Sequence, residues 1–174
     1  MGLWDAAMIK DNHVLVAGGV AEAVRRALSA GVKDVICEVD HIDQIEPALD
    51  AGATEIALLC TWGGRSDHAI GTLALLSHPR GGAANVVILD EQTRTQLLRS
   101  GVGLTLRGTP GRIISVTPWG GDATVSATGV RWPLDAAVLV AGSTRGISNV
   151  ATAAEAIITA HKGAVLVSEG GGAA

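Results

Sequence analysis

One phrase recurs along this chain: an amphipathic, helix-like segment, then a glycine, then a short β-branched run. It occurs as SAGVKDVICEV, DAGATEIALLC, RSGVGLTLRG, ATGVRWPLDAAVLVAG and AHKGAVLVSEG. Gly31, Gly52, Gly101, Gly129 and Gly163 each fall where a helix would end, and glycine enters the left-handed C-terminal cap without steric cost. The phrase therefore predicts a series of α-to-β joints.

The segments between the joints carry a helical period. Val20, Ala23, Val24, Ala27 and Leu28 fall on one face, with Glu22, Arg25 and Arg26 on the other. Thr152 and Glu155 have capping-box spacing ahead of Ala153, Ala154, Ile157 and Ile158, which predicts another helix there. A short apolar helix is expected over Ile70 to Leu76. The expected strands are Val35 to Cys37, Ile56 to Leu59, Val86 to Leu89, Ile113 to Val116 and Val138 to Ala141, mostly apolar on consecutive positions. Such strands alternating with helices imply a parallel sheet buried on both faces. The expected class is thus α/β: a partial or complete (β/α) barrel with parallel strands. It is expected to occupy residues 1–168, with a flexible tail over residues 169–174. At 174 residues the chain is short of the roughly 250 typical of a full eight-stranded barrel. An incomplete barrel would leave apolar strand edges open, so a homo-oligomer is expected.

Composition narrows the partners. With 48% apolar and 17% charged residues the chain should pack a core, and with four Trp but no Phe or Tyr that core must be aliphatic. A net charge of −4 without a basic run gives no reason to expect nucleic acid or an anionic membrane. The N-terminus lacks export-signal character, and no window of about 18 apolar residues would span a membrane. Cys37 and Cys60 sit outside any CxxC pair and read as reduced, buried thiols of a cytoplasmic protein.

Chemistry in parallel α/β folds gathers after the strands. Lys10 lies in IKDNH, and Glu38 and Asp40 lie in CEVDH after the run Val35 to Cys37. An ammonium and carboxylates at one rim could hold a diphosphate and its metal, or could be solvated surface charge. Gly120-Gly121 and Gly142-Ser143 follow later strands and could cradle phosphate, or could serve only as tight turns. The five histidines lack metal spacing and read as surface or loop residues. VLVAGSTRGIS has Ser148 where a dinucleotide-binding turn would place its third glycine, which argues against that fold.

GLWDAAMIKDNHVLVAGGVAEAVRRA is similar to the quinolinate phosphoribosyltransferase segment containing LIKDNH, a glycine and an amphipathic helix. ICEVDHIDQIEPALDAGATEIALL resembles that family's next two units, and the match runs from about Gly2 to Leu59. The resemblance implies an enzyme of NAD biosynthesis that converts quinolinate and phosphoribosyl diphosphate to nicotinate mononucleotide, pyrophosphate and carbon dioxide. It implies Lys10 as the lysine that meets substrate carboxylate and phosphate oxygens. It implies Glu38 as a catalytic residue lining the phosphoribosyl diphosphate and metal site; Glu38 and, from its place at the same strand end, Asp40 are the expected ligands for Mg2+. The family's next acidic residue falls on Cys60 and its asparagine on Thr61, and the family's N-terminal domain has no counterpart in the sequence. IISVTPWGG and ATGVRWPLDAAVLVAGS resemble the last two phosphate-binding units, but equally those of other barrels such as the orotidine monophosphate decarboxylase group. NVVILDEQTRTQLL aligns with neither. The alternatives are a non-catalytic truncated barrel that binds phosphate or a partner subunit, and another sugar-phosphate barrel enzyme.

Overall fold

The structure is a computed structural model and describes residues 7–39, 42–59, 65–78, 84–108 and 110–172. Two compact units are present, one within Met1–Ile56 and Pro79–Asn85, the other within Ala57–His78 and Val86–Ala174.

The first unit is α/β and local in construction. β1 (Ala7–Ile9) pairs in parallel with β2 (Val35–Cys37), Ile9 opposite Cys37. Between them run α1 (Asp11–Ala17) and α2 (Val20–Ser29). Ile9, Val14, Val20 and Ala23 are buried against Val24, Ala27, Val35 and Cys37, so the period-3.6 face of α2 is the buried one up to Ala27, while Leu28 is 45% exposed. Gly31 stops α2 as the sequence predicts: its φ is 87°, and the Val32 N–H donates back to the Ala27 carbonyl. α3 (Ile45–Asp50) ends the same way at Gly52.

The second unit overturns the parallel barrel. β3 (Glu55–Leu59), β4 (Asn85–Leu89), β5 (Thr93–Leu98), β10 (Glu155–Gly172), β7 (Arg112–Thr128) and β8 (Leu134–Leu139) follow one another across a sheet. β6 (Val102–Arg107) adds to β10, and β9 (Asn149–Val150) to β7. From β4 onward the pairings are antiparallel. The physical reason is alternation. Along β7, Ile114, Val116, Ala123, Val125 and Ala127 are buried while Ser115, Thr117, Thr124 and Ser126 are not, a period of two that no helix interrupts. A parallel partner would need a crossover of a dozen or more residues, and the sequence between these strands leaves none.

Two long strands organise the unit. β10 pairs with β7 along nearly its whole length, while its other edge takes β6 over Glu155 to Ala160 and β5 over Val165 to Gly170. The register shifts at His161 to Gly163, opposite the Gly120-Gly121-Asp122 stretch of β7, mark a bend in both strands. Residues from both sides of the bend share one core: Ile158, Ala160, Val125 and Ala127 with Val165, Val167, Ile114 and Leu98. Leu166 points the other way, into a cluster with Leu76 and Leu73 from α4 (Ser66–Leu75) and its C-terminal end, together with Ile88 and Trp119.

Several expected helix features are therefore strand features. The Thr152 to Ile158 stretch is the start of β10, with Glu155 opposite Arg107 and Ile158 opposite Leu104. Gly163 sits in the β10 bend, and Gly129 follows β7 where a Cβ would run into the Glu155 carbonyl oxygen. NVVILDEQTRTQLL forms β4, a tight connection and β5. β10 extends through Glu169 to Gly172, whose partner is Arg112. Among the described residues no helix is long and apolar enough to cross a membrane.

Candidate functional site

The most constructed surface feature of the second unit lies where the chain leaves β7 and where it returns through β9. After Gly129, the Arg131 N–H donates to the Val150 carbonyl at 2.8 Å, and Val130 bridges Ala151. This pins the 130–132 segment alongside β9. Asn149 then closes the pair. Its Oδ1 accepts the Trp132 N–H at 3.0 Å and the Val150 N–H at 2.9 Å, and its Nδ2 donates to the Trp132 carbonyl at 2.7 Å. One amide side chain thus holds the backbone of a residue seventeen positions away on both its polar groups.

The clasped residue keeps its ring outside. Trp132 is 55% exposed, and the Arg131 guanidinium carbon lies 5.2 Å from the ring centroid. An indole held by its backbone, with a cation over one face, offers its remaining face to a flat aromatic ligand.

The loop before β9 is held with similar care. Ser148 adopts φ 62°, a left-handed conformation costing a non-glycine residue on the order of 1 kcal/mol, and its N–H donates to Ser115 Oγ at 3.0 Å. Gly146 is buried where a Cβ would collide with the Val116 carbonyl oxygen, and its own carbonyl accepts the Val116 N–H at 2.8 Å. Asp122 Oδ1 accepts the Ala141 N–H at 2.8 Å at the start of that loop. The strained Ser148 is thus held by a specific bond directly ahead of Asn149, the residue that clasps the Trp132 backbone.

The residues singled out from sequence are placed as follows. Lys10 and Glu38 follow β1 and β2, both exposed, with the Glu38 N–H donating to the Ile9 carbonyl at 2.9 Å. Lys10 is also the N-cap of α1, and its N–H donates to His13 Nδ1. Asp40, Cys60 and Thr61 lie outside the described residues. Among the described residues no three His, Cys, Asp or Glu side chains converge as a metal site would require. Gly120 and Gly121 lie inside β7, and Gly142 and Ser143 in the loop after β8. Neither pair is followed by a helix, so the helix-terminus argument for phosphate has no physical basis there. Cys37 is half-buried, and burial pushes its thiol pKa up.

Sequence reasoning missed Trp132 and Asn149 altogether. The available signal was an RWP step after a glycine and a Ser-Asn pair ahead of a strand, but only strand pairing brings the two together.

Comparisons with known proteins divide the chain. A family model described as "Quinolinate phosphoribosyl transferase, C-terminal domain" matches residues 1–73. One described as "Thiamin pyrophosphokinase, vitamin B1 binding domain" matches residues 102–165, which contain the whole Trp132–Asn149 arrangement. Nicotinate-nucleotide pyrophosphorylase [carboxylating] of Mycobacterium leprae is 43% identical over 61 residues, 34% of this chain and 21% of that protein. A probable enzyme of the same name from Bacillus subtilis is 37% identical over 57 residues, 32% and 20% respectively. The chain thus spans about a fifth of the length of the curated relatives it matches.

Among solved structures, thiamine pyrophosphokinase from Bacillus subtilis superposes with a TM-score of 0.69 at 23% identity, covering 95% of this chain and 78% of that one. Thiamin pyrophosphokinase from Geobacillus thermodenitrificans gives 0.67 at 20% identity, with 88% and 73% covered. The yeast enzyme gives 0.55 at 16% identity, with 66% and 39% covered. At these identities the likeness is one of fold.

These findings correct the reading of the chain as a quinolinate phosphoribosyltransferase. The IKDNH and CEVD stretches resemble that family, but the resemblance ends early. The remainder has the fold of thiamin pyrophosphokinases and not a TIM barrel. Phosphoribosyl transfer, NAD biosynthesis, and quinolinate and phosphoribosyl diphosphate as substrates fall with it.

Proposed function

We propose that the second unit binds thiamin, with the heterocycle stacked on Trp132, and that the chain acts as an enzyme of pyrophosphoryl transfer in the manner of thiamin pyrophosphokinases. The observation that carries this reading is the coincidence of two independent features. Residues 102–165 match the vitamin B1 binding domain, and within them an exposed indole is clasped through its backbone by Asn149. Thiamin has two flat heterocycles, and an exposed indole face suits a flat ring.

In the transfer, a thiamin hydroxyl oxygen would bond to the β-phosphorus of a nucleoside triphosphate as the bridge to the α-phosphorus breaks. Nucleoside monophosphate leaves, and the hydroxyl proton passes to solvent. Mg2+ would neutralise phosphate charge in such a reaction. Among the described residues no cluster of carboxylates fits that ion, and the metal role expected of Glu38 and Asp40 belongs to the phosphoribosyltransferase reading corrected above. What the chain's own residues contribute is orientation: Asn149 and Ser115 fix the backbone at Trp132 and Ser148, which limits the freedom lost on binding.

Calorimetric titration of the full chain with thiamin tests the reading. Saturable binding that W132A removes is expected. The absence of heat at millimolar thiamin, with the protein folded, would sink it.

A further inference from the structure

We infer that the Trp132 site prefers a phosphorylated thiamin, the mono- or diphosphate ester, over free thiamin; the inference rests on the thiamin-binding reading above. The observation behind it is the Arg131 guanidinium stationed 5.2 Å from the Trp132 ring centroid.

A ring face already matched to a cation does not favour a second one beside it. Thiamin carries a fixed thiazolium charge, so free thiamin brings a like charge to the face of the indole opposite the one that Arg131 covers. A phosphate ester reverses the balance: reaching past the ring edge, its oxygens accept charge-assisted bonds from the guanidinium fork while the ring keeps its place on the indole's other face. The local charges agree. From Arg131 to Val150 the charged residues are Arg131, Asp135 and Arg145, two cations against one anion. Among the described residues, Arg131 forms no ion pair with a carboxylate.

Arg131 is also well placed to hold its position. Its N–H is tied to the Val150 carbonyl and its neighbour's backbone to Asn149, so the base of the side chain is fixed while the head stays exposed. The functional consequence is a site that retains the ester. In an enzyme that makes the diphosphate this is product inhibition, and in a binding protein it is selectivity for the phosphorylated vitamin.

The test is calorimetric titration of the full chain with thiamin, thiamin monophosphate, thiamin diphosphate and inorganic pyrophosphate. The expected result is diphosphate binding at least about tenfold tighter than thiamin, the effect of one good bond to a charged group. In R131Q the ratio of the two affinities should fall below about threefold, with R131K in between. In the wild-type chain, raising the salt should weaken the diphosphate far more than thiamin. Equal or tighter binding of free thiamin, an undiminished ratio in a folded R131Q or R131K, or pyrophosphate alone binding as well as the diphosphate ester would each overturn the inference and leave thiamin binding intact. Failure of all the thiamin forms to bind would overturn both.

Discussion

Asn149 and Trp132 are joined by two hydrogen bonds of opposite sense, the Trp132 N–H to Asn149 Oδ1 at 3.0 Å and Asn149 Nδ2 to the Trp132 carbonyl at 2.7 Å. The pairing turns an exposed indole on a connecting segment into a fixed platform. Asn149→Ala removes both bonds and the one to the Val150 N–H. It should lower stability by about 1–3 kcal/mol and weaken thiamin binding by an order of magnitude or more. Asn149→Asp, which keeps the acceptor and loses the donor, should fall between. Denaturant unfolding and calorimetry on the same variants check both effects, and unchanged binding in N149A would remove Asn149 from the site.

Gly146 and Gly142 separate two kinds of glycine requirement. At Gly146 a Cβ meets the Val116 carbonyl, which the Val116–Gly146 bond keeps from moving away, so Gly146→Ala should cost about 3 kcal/mol. Gly142 has φ 81° and open space, so Gly142→Ala should cost only about 1 kcal/mol. Chemical denaturation of the two variants side by side would show the difference.

Ile158 is fully buried where β10 faces the shared core. Ile158→Ala should destabilise the second unit by about 2–5 kcal/mol. Ile157, its neighbour on the opposite face of the strand, is 43% exposed, and Ile157→Ala should change stability by less than about 1 kcal/mol. Similar losses from the two substitutions would contradict the strand and restore a helical reading.

Burial raises the Cys37 thiol pKa, which means the fold favours the neutral form. Its contribution to stability is present below the ordinary thiol pKa and is lost as pH rises through the higher folded value, so the effect belongs to the alkaline range. In a Cys60→Ser background, iodoacetamide should modify Cys37 more slowly in the native chain than in the urea-unfolded chain at the same mildly alkaline pH. A native rate equal to the unfolded one would show a freely ionising thiol.

Legibility in the sequence followed the range of the interactions. The α2 face and the Gly31 and Gly52 caps are legible because each depends on residues within a turn or two, and β2 is legible as an apolar run although its pairing with β1 is not local. The Thr152–Glu155 spacing misled because a capping box is a weak local preference. Pairing of Glu155 with Arg107 and Ile158 with Leu104, some fifty residues away, outweighs it. Ile113 to Val116 taken alone fits a short buried parallel strand, while the alternation that continues through DATVSAT belongs to the long antiparallel β7.

By itself, then, the sequence determined the helical face and caps of the first unit, the positions of the apolar runs, and the likeness of its opening third to the quinolinate phosphoribosyltransferase segment. The tertiary structure alone decided that the later runs lie antiparallel around bent β7 and β10. It alone brought Trp132 to Asn149. The physical reason is that hydrogen bonding between distant strands and burial in a shared core are collective. They set direction, register and neighbours at once, and no local window of residues contains them.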